Sequence, residues 1–143
     1  MNLIDRYLLL PDHRRSEMRA SNRDFAVAVQ RRYAALLAAE AAIAAWRVQP
    51  DAARLVFALT EDVLTGPSAR LIAAYDIAGR RLWDTDRDDE WPDESLVTDW
   101  LAAASRCYPG GYFPPAREDS ARYEYKLPTP PVTSAPPAGD QQG

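Results

Sequence analysis

Among 143 residues there is one cysteine, Cys107, and one histidine, His13. A lone cysteine leaves no intramolecular disulfide to form and no Cys-rich zinc framework to build. That usage suits a reducing compartment, and the expected location is cytoplasmic. One histidine excludes metal sites that need two or three imidazoles from one chain, such as H-E-x-x-H. Cys107 has only His13 as a candidate base, and nothing in the sequence places the two together. A single cysteine at the end of an apolar helix face reads as a small core residue. The six glycines are scattered apart from Gly110-Gly111, so there is no glycine-rich loop to wrap a phosphate. No cofactor and no resident metal are expected.

Lysine is scarcer still in proportion: Lys126 is the only one among seventeen basic residues. The accompanying arginine and alanine bias reads as a GC-rich coding sequence of the bacterial kind. Long hydrophobic runs are also missing. "YAALLAAEAAIAAW", Tyr33 to Trp46, is too short to span a bilayer and is interrupted by Glu40. Arg31-Arg32 ahead of it has the outline of a twin-arginine export signal, but the internal charge and late position argue against that. "LIDRYLLLP" is too short and too charged for a secretory signal.

What is present is ordinary globular material, with 47% apolar and 27% charged residues. The length fits one domain with enough core to fold without metal or disulfide. Its expected extent is 1–127. From Pro128, "PTPPVTSAPPAGDQQG" is proline-rich and poor in bulky apolar side chains, so 128–143 is expected to be a disordered tail.

Helical spacing is clearest over 22–47. Ser21 and Asp24 resemble a capping box, and Phe25, Val29, Tyr33, Leu36, Ile43 and Trp46 recur as an apolar stripe widened by Leu37. Alanine fills much of the rest. The stripe is expected to face the core, and the same surface offers a homodimer face. Pro50-Asp51 and Gly66 bracket "RLVFALT" with start and stop signals, which favours a second helix over a buried strand. Ala69–Tyr75 and Arg81–Asp84 around "DIAG" read as a hairpin. "YDIAGRRL" resembles one unit of the YD repeats of large bacterial toxin shells, an architecture that needs many copies; here one copy implies only a hairpin. "PDESLVTDWLAAASRC" reads as a helix with Leu96, Val97, Trp100, Leu101 and Ala104 buried. "ARYEYKL", 121–127, is a candidate last strand. The fold class is therefore α+β: a long alanine-rich helix and two further helices packed on a small antiparallel sheet.

The charge is uneven. Residues 1–54 carry nine basic and six acidic side chains, and residues 55–143 carry eight and fifteen. An acidic half repels nucleic acid and attracts basic proteins. Its focus is "DTDRDDEWPDES", 84–95, with seven carboxylates and one arginine. Asp84, Asp86 and Asp88 occupy the first, third and fifth positions of a calcium loop, but Asp89 stands where that loop needs glycine and Ser95 where it needs glutamate. The stretch reads better as a protein-binding surface: Asp84, Asp86, Asp88, Asp89 and Glu90 supply charge, and Trp83 and Trp91 supply aromatic anchors. Its bland counterpart is a solvated connector.

The expected function is non-catalytic binding of a protein with a basic surface, as an inhibitor, immunity protein or accessory subunit acts. The alternative is a metal-dependent nuclease of the loose PD…(E)xK type. It would use Asp93 and Glu124 to hold a divalent ion and Lys126 to assist the attacking water. Tyr108, Tyr112 and Phe113 either line a binding surface or pin a loop to the core.

Overall fold

The computed structural model describes residues 2–108 and 111–130. In chain order the elements are α1 (Leu3–Leu8), α2 (Asp12–Val48), β1 (Arg54–Asp62), β2 (Gly66–Tyr75), β3 (Arg81–Asp84), α3 (Ser95–Cys107) and β4 (Tyr123–Lys126). The strands form one antiparallel sheet in the order β3-β2-β1-β4. The class is α+β, with helices on one sheet face, as the patterning implied. The proline-rich tail expected from Pro128 lies outside the described residues from residue 131 onward.

α3 starts at Ser95 rather than Pro92 and β2 at Gly66 rather than Ala69, and two larger differences from the sequence expectation concern α2 and β1. The long helix begins at Asp12 and runs unbroken through Ser21. Between 12 and 22 there is neither glycine nor proline, and Arg, Glu, Met and Ala all propagate a helix well. The capping-box pattern has no free helix end to cap, and Asn22 Nδ2 instead donates back to Met18 O at 2.8 Å. The second correction is the expected helix over 51–64, which is strand β1. Leu55 and Phe57 are fully buried on the helix-covered face and Val56 is buried on the other. A strand buried on both sides loses its alternation and reads as a continuous apolar run. The apparent helix stop, Gly66 (φ 80°), serves the β1–β2 turn, where Asp62 Oδ1 accepts from Leu64 N at 2.7 Å.

The hairpin of β2 and β3 forms as expected. Gly79 (φ 86°) sits in its turn, and Asp76 Oδ1 accepts the N–H groups of Ala78 and Arg80 at 3.0 and 2.8 Å. A bulge makes Ile72 the extra residue of β2, since Val56 pairs with Ala73 and Phe57 with Leu71. α1 folds back on the start of α2 through polar contacts: Arg15 Nη1 donates to Leu10 O at 2.6 Å, and Arg19 Nη1 to Tyr7 Oη at 2.5 Å.

The largest departure concerns which face of α2 is covered. Ala34, Ala38, Ala41, Ala42 and Ala45 have no exposed surface. Most of the expected core stripe faces outward instead: Phe25 is 71% exposed, Tyr33 56%, Leu36 61% and Ile43 43%, whereas Leu37 and Trp46 pack against the core as expected. Alanine lets the helix axis approach closely, and the bulk that fills the space comes from opposite it. Phe57, Leu71, Trp83, Trp91, Val97 and Leu101 all join this core. Ahead of Ala34, α2 meets the end of α3 only at its margin, where Gln30 O lies 3.6 Å from Cys107 Sγ and Arg31 lies 5.8 Å from the Tyr108 ring. α3 shows a smaller rotation of the same kind: Val97, Leu101 and Ala104 are buried as expected, whereas Leu96 and Trp100 are exposed.

Candidate functional site

The acidic connector leaves the sheet at the end of β3 and enters α3. Asp84 is its organiser. Its Oδ1 accepts the Asp86 N–H at 2.8 Å, its Oδ2 takes Arg81 Nη1 at 2.5 Å, and its own N–H donates to Asp88 Oδ2 at 2.8 Å. The Asp86 N–H, and after it Arg81, hold the Asp84 carboxyl below its usual range. Asp84 and Asp88 therefore spend oxygens on the loop's own backbone. Asp86, Asp88, Asp89 and Glu90 are exposed, and none of them forms an ion pair among the described residues. Among those residues, no three His, Cys, Asp or Glu side chains are grouped to hold a metal ion.

The two tryptophans stand elsewhere than a contact surface would need. Trp83 is 6% and Trp91 1% exposed, and they meet edge to face at 5.2 Å. Trp83 Nε1 donates to Asp89 O at 2.8 Å. They are not aromatic anchors for a partner. They pin both ends of the loop to the core from beneath, so its carboxylates are presented from a fixed base. At the far end Glu94 turns inward, with Oε2 accepting the Leu71 N–H at 2.9 Å.

Asp93, Glu124 and Lys126 are not brought together. Asp93 (φ 47°) precedes α3 beside β2, on the helix-covered side. Glu124 and Lys126 lie on β4 and share a face, as alternation predicts, but it is the opposite face. β4 is two strand spacings from β2, about 10 Å. Cys107 Sγ lies 3.6 Å from Gln30 O, seventeen residues along α2 from His13, or about 25 Å of helix. Phe113 pins the loop: it is buried and meets Phe57 at 4.9 Å, Tyr112 at 5.0 Å and Tyr125 at 5.6 Å, and with Tyr112 it also lines a cleft shared with Leu59, Arg106 and Tyr123. Burial pushes the Tyr125 hydroxyl up to about 12.

A second cluster on the opposite sheet face went unnoticed in the sequence. Arg54 is 9% exposed and lies over the Tyr75 ring at 4.2 Å. It grips Glu118 with two bonds, Nη1–Oε1 at 2.9 Å and Nη2–Oε2 at 2.5 Å, and reaches Glu124 Oε1 at 3.4 Å. Glu124 also accepts the Arg117 N–H at 3.1 Å. The cluster straps the 114–122 loop over Val56 and Ala73. Only a separation of 64 residues joins Arg54 to Glu118, and no local pattern announces such a pair.

Three carboxyls sit below their ordinary range when folded. Glu118 is held down by Arg54, Asp76 by the Arg80 N–H, and Asp84 by the Asp86 N–H. Each contributes stability that is complete above the unfolded value, near 4, and is lost as pH falls through the lower folded value. The melting temperature should hold steady down to about pH 5 and fall below about pH 4. Glu118→Gln should melt lower at neutral pH and fall less steeply in acid. A curve that is flat through pH 3 in the unaltered protein would remove these groups from the account.

Comparison with protein-family models, with curated proteins and with solved structures finds no match. The reading of function therefore rests on geometry.

Proposed function

We propose that this chain is a non-catalytic protein-binding domain that presents Asp86, Asp88, Asp89 and Glu90 to a basic surface on another protein. An inhibitor, an immunity protein or an accessory subunit acts in this way. The observation that carries the reading is the loop itself: four exposed, unpaired carboxylates on a connector whose two ends are fixed by buried tryptophans. A fixed base removes part of the ordering cost of binding. Clustered charge of one sign raises the encounter rate with an oppositely charged partner. With both tryptophans buried, the affinity has to lean on charge, so it should weaken steeply with salt.

The test is affinity capture from the native host, comparing the unaltered chain with Asp86→Asn, Asp88→Asn, Asp89→Asn and Glu90→Gln combined. The captured protein should then be titrated in purified form. Neutralising four contacts should weaken binding at least about a hundredfold, at roughly 1 kcal/mol per desolvated charge. Equal affinity for both forms would return residues 84–94 to the role of a solvated connector.

A second reading is favoured by a separate observation. Phe25, Val29, Tyr33, Leu36 and Ile43 form an exposed apolar row on α2, opposite its alanine face. Such a row fits self-association through this helix.

A further inference from the structure

We propose that two copies of this chain pair through the outward row of α2, antiparallel, with Leu36 on the two-fold axis. The proposal rests on the self-association reading and fixes its geometry.

At about 100° per residue, positions 25, 29, 32, 36, 40, 43 and 47 fall within a wedge of about 80°. The buried alanines at 34, 38, 41 and 45 lie on the opposite side of the same helix. The row drifts by only about 40° from position 25 to position 47, so a second, nearly straight helix can follow it. The sheet and α3 lie behind the alanine face, which leaves both bodies outside a helix pair.

The spacing of the row is the same in either direction from Leu36. Arg32 and Glu40 stand four residues away, Val29 and Ile43 seven, and Phe25 and Arg47 eleven. When two copies are laid antiparallel about Leu36, Val29 meets Ile43 and Leu36 meets Leu36. Arg32 meets Glu40, and the Arg47 guanidinium meets the Phe25 ring. By symmetry each unlike pair occurs twice. An aliphatic pair, an ion pair and a cation on an aromatic face are all favourable. Laid parallel, the same row sets Arg32 on Arg32, Glu40 on Glu40 and Arg47 on Arg47, and like charges repel. The charge order thus selects both the partner and its direction. Within one copy Arg32, Glu40 and Arg47 are exposed and take no ion pair among the described residues. They are free for these partners.

The seam from 25 to 47 is about 33 Å long and one helix wide. That puts it at the lower end of specific interfaces, which bury about 1,200 Å² or more. A dissociation constant of about 1 µM is expected.

Sedimentation equilibrium of the full chain tests association, and thiol cross-linking in a Cys107→Ser background tests direction. The expected results are a monomer–dimer equilibrium, lost in Leu36→Glu at unchanged helicity, and cross-linking of Val29→Cys to Ile43→Cys across copies. Arg32→Glu should weaken the dimer about tenfold, and adding Glu40→Arg should restore it. A monomer at about 1 mM would overturn the self-association reading and the register together. A dimer in which Val29→Cys links to itself and not to Ile43→Cys would leave self-association standing and overturn the antiparallel register.

Discussion

Trp91→Ala should cost about 3–5 kcal/mol of stability, whereas Trp91→Phe should cost little. Trp91 is the largest fully buried side chain, and its ring edge meets Trp83. Cutting it to alanine forfeits that aromatic pair and opens a cavity that the surrounding backbone cannot close. A domain of this size is stable by only about 5–15 kcal/mol, so the loss is a large share of the total. Phenylalanine keeps a ring in the site, and it also removes one costly atom. Trp91 Nε1 is buried and has no hydrogen-bond partner among the described residues. A buried unpaired donor costs about 1–3 kcal/mol, close to what the smaller ring loses in packing, so the two effects offset. Urea denaturation of the three proteins checks this. A Trp91→Phe loss equal to the full packing cost of the smaller ring, with nothing offset, would mean that the N–H carries no penalty. Trp91→Ala should also free one end of the acidic loop, so its effect on partner affinity should exceed that of a surface change.

Arg54→Ala is expected to cost about 3 kcal/mol. It strands two carboxylates, Glu118 and Glu124, beside a half-covered sheet face. Glu118 is 40% exposed, which holds the figure at the lower end for a broken charge pair. Arg54→Lys should recover little. A lysine cannot hold both oxygens of Glu118 in a planar fork, nor lie flat on the Tyr75 ring. Arg54→Leu combined with Glu118→Leu should be less damaging than the sum of its single changes, since Glu118 is no longer left without its partner and Glu124 keeps its contacts to Arg117. Additive losses in that cycle, read from denaturation midpoints at neutral pH, would mean that Arg54 acts through packing alone.

Much of the fold was legible because the signals were local. The β2–β3 hairpin needed only β-compatible residues around a glycine turn, and α3 needed only a periodic face with acidic residues ahead of it. β1 was misread because burial on both faces erases alternation, and because turn residues resemble helix caps. The α2 face was misread for a different reason. Periodicity shows that a helix has an apolar side, but here it has two, and only the third dimension decides which one α3 and the core take. The bulky side chains of β1, β3 and α3 need a close, smooth cover, and alanine provides it. The acidic loop was visible as charge; the inward turn of its tryptophans was not. The Arg54 strap joins residues too distant in sequence for any spacing rule.

β3 pairs with β2 only from Ala73 to Tyr75, so the first half of β2 has no neighbouring strand on its outer side. Two side chains occupy that margin. Glu94 takes the Leu71 N–H, and Arg106 Nη1 donates to Pro67 O at 3.1 Å. An unoccupied strand margin is a template onto which another chain can add, and fibres and inclusion bodies begin in that way. Here two of the polar groups that a stray strand would seek, the Leu71 N–H and the Pro67 C=O, are already taken by charged side chains from α3 and its approach. The helix entrance that carries the acidic loop thereby also hinders growth of the sheet at this margin.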